Sequence, residues 1–564
     1  DCMIADLGLD AEQGVRLLND MHARGELMRG HFNDASADVQ GGAEPGGSDE
    51  PACQWLHREV FQRIRSRSLA KARKAVKPVG QRDYQAFLLD RQGIGSVGGE
   101  RHRGTDGLMR VIEQLEGVYL NASVWESTVF PARVNGYQPQ MLDELLAEGD
   151  IVWVGEKTGA TTAKEPGRIA FHPADSLLLD GLTNNSFDAD AGAGVGSENA
   201  GNSAENTSDD DVLSVPQAIL RALDGGGAFP ARQLSDSARE LWQSHAQVTV
   251  DVITGELVFP SWDERQFEEA LWALAWSGRI TNSSFAPVRA LVRGGGSKPR
   301  RNASRRRASM RAHGHAAIPA YMTGLWSLVG VPHDRYGDEG ADGSVEGPER
   351  RAVALVEALL DRYGVVAAPL LEGERVTGGF SALYPVLERM EKHGTVARGM
   401  FVEGFSAAQF ADAATVDALR SHAWGDGPCV ALDATDPASL TGAAIAWPQP
   451  SAAGESGKPQ PSGNVKAMHG ITPARRAGCL TVLAQGIPVL FAMPRSHRIL
   501  AFTDDETALR RACGELGNVL RRQPSGSVTF TEMNGMPLTR RNGFVRLLHA
   551  GGFTPCPQGM RLYG

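Results

Sequence analysis

The stretch QWLHREVFQRIRSRSLAKARKAVKPV places Arg58, Arg63, Arg65, Arg67, Lys71, Arg73, Lys74 and Lys77 on one predicted helix, from about Trp55 to Ala75. Leu56, Val60, Ile64 and Leu69 lie between them and are its expected apolar contacts. Cations repeated along a helix neutralise phosphates, so this stretch is the first candidate for contact with a nucleic-acid backbone. The plainer reading is a solvated charged face. Arg29, Arg133 and Arg398 fall near expected β-hairpins and are further candidates for phosphate contact. Trp125 and Trp326 lie near basic or turn residues, where they would either stack on bases or fill a core.

Other chemistry is hard to place. GEKTG (155–159) lacks the glycines of a phosphate-binding loop, and GGGSKPR lacks a strand and helix on either side. The 14 histidines are dispersed, and no acidic or His-x-x-x-His cluster supports a catalytic metal. Cys2, Cys53, Cys429, Cys479, Cys513 and Cys556 form no CxxC pair, which disfavours structural zinc and a disulfide scaffold and fits a reduced, cytoplasmic setting. No apolar run reaches the roughly 18 residues of a membrane span. A net charge of -10 excludes a uniformly basic nucleic-acid binder and confines any such contact to local patches.

The elements that would position these residues repeat. Four times an apolar helix face ends on Gly and passes into alternating, strand-like sequence. The copies are Leu18-Met21-Gly25-Leu27, Leu142-Leu145-Gly149-Ile151, Leu271-Leu274-Gly278-Ile280 and Leu387-Met390-Gly394-Val396. The spacing predicts one helical face, a left-handed Gly cap and a following strand, as where the third helix of a winged-helix module enters its wing. LNDMHARGELMRGHF (18–32) and LERMEKHGTVARGMF (387–401) align without a gap. Four residues after each Gly stand Arg29, Trp153, Asn282 and Arg398, so the copies are not expected to bind DNA alike.

At 564 residues the chain must hold several cores. The expected class is multidomain α+β, with tandem winged-helix modules before a small C-terminal β-barrel. Residues 1–33 read as the end of one module, and 52–180 as a domain holding the basic helix and a winged helix. The Asn/Ser/Gly/Asp stretch 183–211 cannot bury enough surface to order and reads as a linker. A module at 212–292, a basic linker at 293–318 and a module at 319–415 follow. From 424 to 564, short apolar runs such as CVALDA, CLTVLA, IPVLFAM and RILAF read as a barrel or sandwich.

Taken in order, WLHREVFQRIRSRSLAKARKAVKPV, DYQAFL, GLMRVIEQLEGVYLNASVWESTVFPARVNGYQPQMLDELLAEGDIVWVG, FEEALWALAWSGRITNSSFAPVRAL, GMFVEGFSAAQFA and GGFTPCPQGMRL resemble the bacterial large helicase-related proteins, Lhr. The likeness covers nearly all of the chain outside its linkers. It implies the end of the core and the C-terminal region of an ATP-dependent 3'-to-5' superfamily 2 helicase or translocase acting in DNA repair. Its two motor lobes, with their ATP and magnesium, would precede Asp1, and no cofactor or metal is expected in this chain. It further implies tandem winged helices of the AlkZ glycosylase type, a terminal β-barrel, and single-stranded DNA or 3'-tailed duplex, RNA-DNA hybrid included, as partner. Uracil-DNA glycosylase activity is an alternative: Gln138-Pro-Gln140 matches that type's Gln-x-Gln letters, though an ordinary helix start reads the same. A third reading is a scaffold that makes the helicase a homo-oligomer.

Overall fold

A computed structural model describes residues 10–30, 54–61, 63–64, 67, 77–94, 102–157, 166–179, 213–245, 249–250, 257–258, 261–294, 319–330, 346–405, 408–421, 429–448, 472–523, 526–539 and 543–564. They divide into two compact units: 1–78 with 397–400, and 79–396 with 401–564. The stretch expected as a linker at 183–211 and the Gly/Ser/acidic stretch 34–51 lie outside the described residues, as does the basic linker expected at 293–318 except for residues 293 and 294, which end a helix.

In the first unit, helix α1 (Ala11–Ala23) opens on a capping box: Gln13 N–H donates to the Asp10 carboxylate and Asp10 N–H to the Gln13 side chain. Strand β1 (Leu27–Gly30) pairs antiparallel with β2 (Gln54–His57), in register from Leu27 opposite His57 to Gly30 opposite Gln54. This is a wing hairpin. Trp55, expected to begin the basic helix, therefore belongs to a strand, and the helix starts at Arg58, whose N–H donates to Glu26 O at 2.9 Å.

The second unit holds three sets of elements, each opening with a helix and a short strand and closing on two strands, which in the second set are separated by a helix. First come α2 (Gln81–Arg91), α3 (Gly104–Gln114), β3 (Leu120–Asn121), a helical run through Arg133 with a π-turn at Trp125–Val129, α4 (Pro139–Glu148), β4 (Ile151–Glu156) and β5 (Arg168–Pro173). Next are α5 (Val215–Asp224), β6 (Phe229–Pro230), α6 (Ala231–Ser244), α7 (Glu264–Trp276), β7 (Ile280–Asn282), α8 (Ala286–Gly294) and β8 (Leu325–Leu328). Then follow α9 (Glu346–Tyr363), β9 (Val365–Ala367), a 3-10 turn, α10 (Gly379–His393), β10 (Ala397–Gly399), which is assigned to the first unit, β11 (Gln409–Ala411) and α11 (Ala413–Ser421). The last strand of each set pairs with the first: β5 with β3, β8 with β6, β11 with β9. These are winged-helix modules. The structure moves one boundary, because β8, placed by sequence in the 319–415 module, completes the β6-β8-β7 sheet of the module before it.

All four helix endings form as the spacing predicts. Gly25, Gly149, Gly278 and Gly394 have φ of 74°, 83°, 73° and 84°. The next residue's N–H donates to the carbonyl of Met21, Leu145, Leu274 or Met390 at 2.9, 3.1, 3.1 and 2.9 Å, the six-residue closure of a Schellman cap.

The modules are not independent beads. Leu108, Trp125, Phe171, Ile219, Phe267, Trp272 and Trp326 belong to one buried core shared by the 104–173 and 213–328 modules. Their wings meet: Trp153 Nε1 donates to Asn282 O at 3.0 Å, and Thr281 Oγ1 to Trp153 O at 2.8 Å. Contact this close needs glycine, since a Cβ on Gly155 would lie 2.4 Å from Ala275 O. Gly155→Ala is therefore expected to cost about 1–3 kcal/mol in urea unfolding. Gly225→Ala is the control, because a Cβ there meets nothing within 4 Å and φ is -65°; it should be neutral or slightly stabilising.

Helix α2 brackets the second unit. Its Tyr84 Oη donates to Tyr363 O at 2.9 Å and Arg91 Nε to Asp361 O at 2.8 Å, both on α9. Gln85 Nε2 donates to Ala438 O at 2.6 Å while its Oε1 accepts from Leu440 N–H at 2.9 Å.

Among the described residues of the C-terminal region no closed barrel is seen. Strands β12 (Cys429–Asp433), β13 (Leu480–Ala484), β14 (Ile487–Met493), β15 (Arg498–Ala501), β17 (Glu532–Met533) and β18 (Met536–Pro537) form an open sheet in that order. Helix α12 (Glu506–Arg522) packs Leu509, Ala512, Cys513 and Leu516 into a core with Val482, Leu490 and Ile499 of this sheet. Strands β16 (Ser527–Phe530), β19 (Thr554–Cys556) and β20 (Gly559–Tyr563) make a second sheet, and α13 (Gly543–Ala550) packs on α12. A helix covers the apolar face that closure would otherwise bury, and short apolar runs fit either arrangement.

Candidate nucleic-acid interface

The first unit carries a run of exposed cations on one short stretch of chain. The left-handed cap at Gly25 turns α1 into β1, which carries Arg29 on its exposed side. The Arg29 guanidinium lies 5.6 Å from the ring centre of Trp55, its cross-strand neighbour, and His22 meets that ring edge-on at 5.8 Å. His22 Nδ1 sits 2.9 Å from Leu27 O, which ties the helix end to the wing. After β2 the chain is helical at each described position from Arg58 to Arg67, and Arg58, Arg63 and Arg67 are exposed, as is Lys77 beyond it. Arg65, Lys71, Arg73 and Lys74 lie outside the described residues, as does Leu69. Val60 and Ile64, expected as buried contacts, are 43% and 54% exposed. Their spacing is helical, yet no surface among the described residues covers them.

Other candidates fall elsewhere. Arg133 is fully buried: Nη1 and Nη2 donate to the two Asp436 carboxylate oxygens at 2.9 and 2.7 Å, and Nη2 also to Gln92 Oε1 at 2.6 Å. A phosphate cannot reach it, so it is a strut between a winged helix and the C-terminal region. Trp125 and Trp326 are also fully buried, with Nε1 donating to Ile169 O and Tyr321 O at 2.9 Å each, which leaves neither face open to a base. Arg398 is half-buried in β10. Gln138 and Gln140 are exposed at the opening of α4, with Gln138 as its N-cap.

The third helices of the modules explain why cations do not recur. On α4 the charges are Asp143, Glu144 and Glu148, and on α7 Glu264, Glu268 and Glu269 outnumber Arg265. Such faces repel phosphate. Arg289 of α8 is spent on Glu126 at 2.8 Å and Asp143 at 2.5 Å, joining two modules. On α10, Arg389 pairs with Glu349 at 3.1 Å and Lys392 with Glu388 at 3.3 Å. Sequence spacing offered no signal for the Arg133–Asp436 pair, whose members stand 303 positions apart.

No reactive centre emerges among the described residues. Burial pushes the Cys513 thiol up to about 12 and also raises Cys429 and Cys479, so none is a ready nucleophile. Among the described residues, no group of three His, Cys, Asp or Glu side chains is arranged to hold a metal, and no helix is long and apolar enough to cross a membrane.

Modules of this kind, sharing cores and joined to a helix-covered sheet, define a tandem winged-helix protein. Residues 79–174 and 345–428 each match the winged-helix domain of large helicase-related proteins. The Escherichia coli K12 "Lhr helicase/uracil glycosylase" is 34% identical over 531 residues, covering 90% of this chain and 30% of that protein. The Mycolicibacterium smegmatis "Lhr helicase/ probable uracil glycosylase" is 34% identical over 576 residues, 97% of this chain and 32% of that protein. The chain belongs to the large helicase-related protein family and carries winged helices of its C-terminal region. It spans about a third of the length of these curated relatives. A solved Streptomyces sahachiroi DNA glycosylase AlkZ superposes with a TM-score of 0.36 at 13% identity, covering 78% of this chain and 97% of that one, a likeness too distant to bear on function.

Proposed function

We propose that this chain is the DNA-holding part of an ATP-dependent 3'-to-5' helicase or translocase acting in DNA repair in the bacterial cytoplasm. Motor lobes upstream of it supply ATP and magnesium chemistry. The observation that carries the reading is the exposed Arg58, Arg63 and Arg67 on the helix that leaves the wing, in a chain whose net charge is -10. Both relatives are named helicases. The strand leaving the motor, as single-stranded DNA or the tail of a 3'-tailed duplex or RNA-DNA hybrid, lies along this helix, and phosphates fix its register.

Arg63→Ala/Arg67→Ala should weaken binding to single-stranded DNA. It should also flatten the slope of log affinity against log salt by about 1.4, at roughly 0.7 per lost phosphate contact. Fluorescence anisotropy across a salt series reads both. Unchanged affinity and slope would favour the scaffold reading, in which the modules serve to assemble a homo-oligomer.

A second reading is a uracil-DNA glycosylase. Both relatives carry that activity in their names, and Gln138 and Gln140 stand exposed where an amide could orient water toward an extruded nucleotide. Purified chain on uracil-containing single-stranded DNA should then leave alkali-labile sites. Cleavage no greater than with Gln138→Ala/Gln140→Ala sinks that assignment.

A further inference from the structure

The exposed aliphatic pair on the basic helix has no role in phosphate contact. Val60 and Ile64 are 43% and 54% exposed, among the most exposed large apolar side chains described. At about 100° per residue, Val60, Ile64, Arg63 and Arg67 fall within roughly 100° of one helix face. Glu59 falls outside that arc. The described side chains of this face are thus two aliphatic groups set among two guanidinium groups, all open to solvent.

Such a face suits a partner that is both anionic and apolar at close spacing. A protein partner would need its own carboxylates around an apolar patch. A nucleic-acid strand supplies both features in every nucleotide, a phosphate beside the flat face of a base. In a paired duplex those faces are stacked on each other, and only base edges line the grooves. In a single strand they are free, and contact with them tolerates any sequence.

We propose that Val60 and Ile64 press against the faces of unstacked bases while Arg63 and Arg67 hold the flanking phosphates, so that this helix favours single-stranded over paired DNA. The proposal rests on the DNA-holding reading above and adds the bases to it.

The test uses the whole chain and two labelled strands of equal length and equal phosphate count, one oligothymidylate and one made entirely of abasic residues. The unaltered chain should bind the thymidylate strand about fivefold or more tighter, the effect of covering two aliphatic side chains in part. Val60→Ser/Ile64→Ser should bring the two strands near parity and leave the salt slope unchanged. Arg63→Ala/Arg67→Ala should weaken both strands alike and flatten the slope. A base preference that survives the serine substitutions, or serine variants that weaken both strands equally, overturns the base contact alone. An arginine variant without effect on either strand overturns the phosphate reading beneath it. Loss of self-association on serine substitution, with base preference intact, would make the face a protein contact and refute the proposal.

Discussion

Replacing Arg133 with methionine is expected to destabilise the second unit by about 3–5 kcal/mol, because it takes the bidentate counter-charge from a buried carboxylate. Both members of the pair are 0% exposed. Once the guanidinium is gone, the Asp436 carboxylate keeps the Ala438 N–H donor at 2.8 Å and the field of Arg475 but loses its bidentate partner, and Gln92 Oε1 loses its 2.6 Å donor. Methionine restores much of the volume, so the loss is electrostatic rather than a cavity. Asp436→Ala in the same background should recover part of it by removing the orphaned charge, though the Ala438 N–H then lacks an acceptor. Urea unfolding of the two single variants and the double variant isolates the pair energy. Full stability in Arg133→Met with weakened DNA binding would return Arg133 to the phosphate-binding role that its wing-side position first suggested.

The contrast between Arg133 and the four glycines shows what this sequence makes legible. Each Gly cap is a local event: an apolar i, i+3 pair, a residue that adopts positive φ and an apolar residue two places on. Everything that decides it lies within ten residues, and all four formed. Arg133 also ends a helix and precedes a turn, but its role was set by Asp436 in a distant region. Val60 and Ile64 err in the opposite direction, since helical spacing implies a buried face only where another element arrives to cover it. The expected barrel is not seen among the described residues, where α12 packs on the sheet face that closure would bury. The third module's sheet waited for β8, which stands beyond a long basic stretch. At the candidate interface, the cations were legible as a charge contrast with the rest of the chain, whereas the wing strand that holds Trp55 against Arg29 was not.

Trp326→Ala should cost roughly 3–5 kcal/mol, the range for removing a large buried aromatic side chain. The indole stands edge-on to Trp272 at 5.7 Å and to Trp153 at 6.4 Å, so it joins rings from both modules of the shared core. Its strand lies between β6 and β7, with Trp326 opposite Phe229 and Asn282. Trp326→Phe should cost less, since a ring remains, but it strands Tyr321 O, which now accepts the indole N–H at 2.9 Å. The loss should not stay within one module. Trp153 holds Asn282 O through its own indole N–H, and Thr281 holds the Trp153 carbonyl in return. Loosening β8 therefore loosens β7 and, through it, β4. Hydrogen exchange should accelerate in β4 as well as in β7 and β8, with circular dichroism following the urea transition. Faster exchange confined to β8, or a stable variant that binds DNA less well, would contradict a shared core and revive a base-stacking role for this tryptophan.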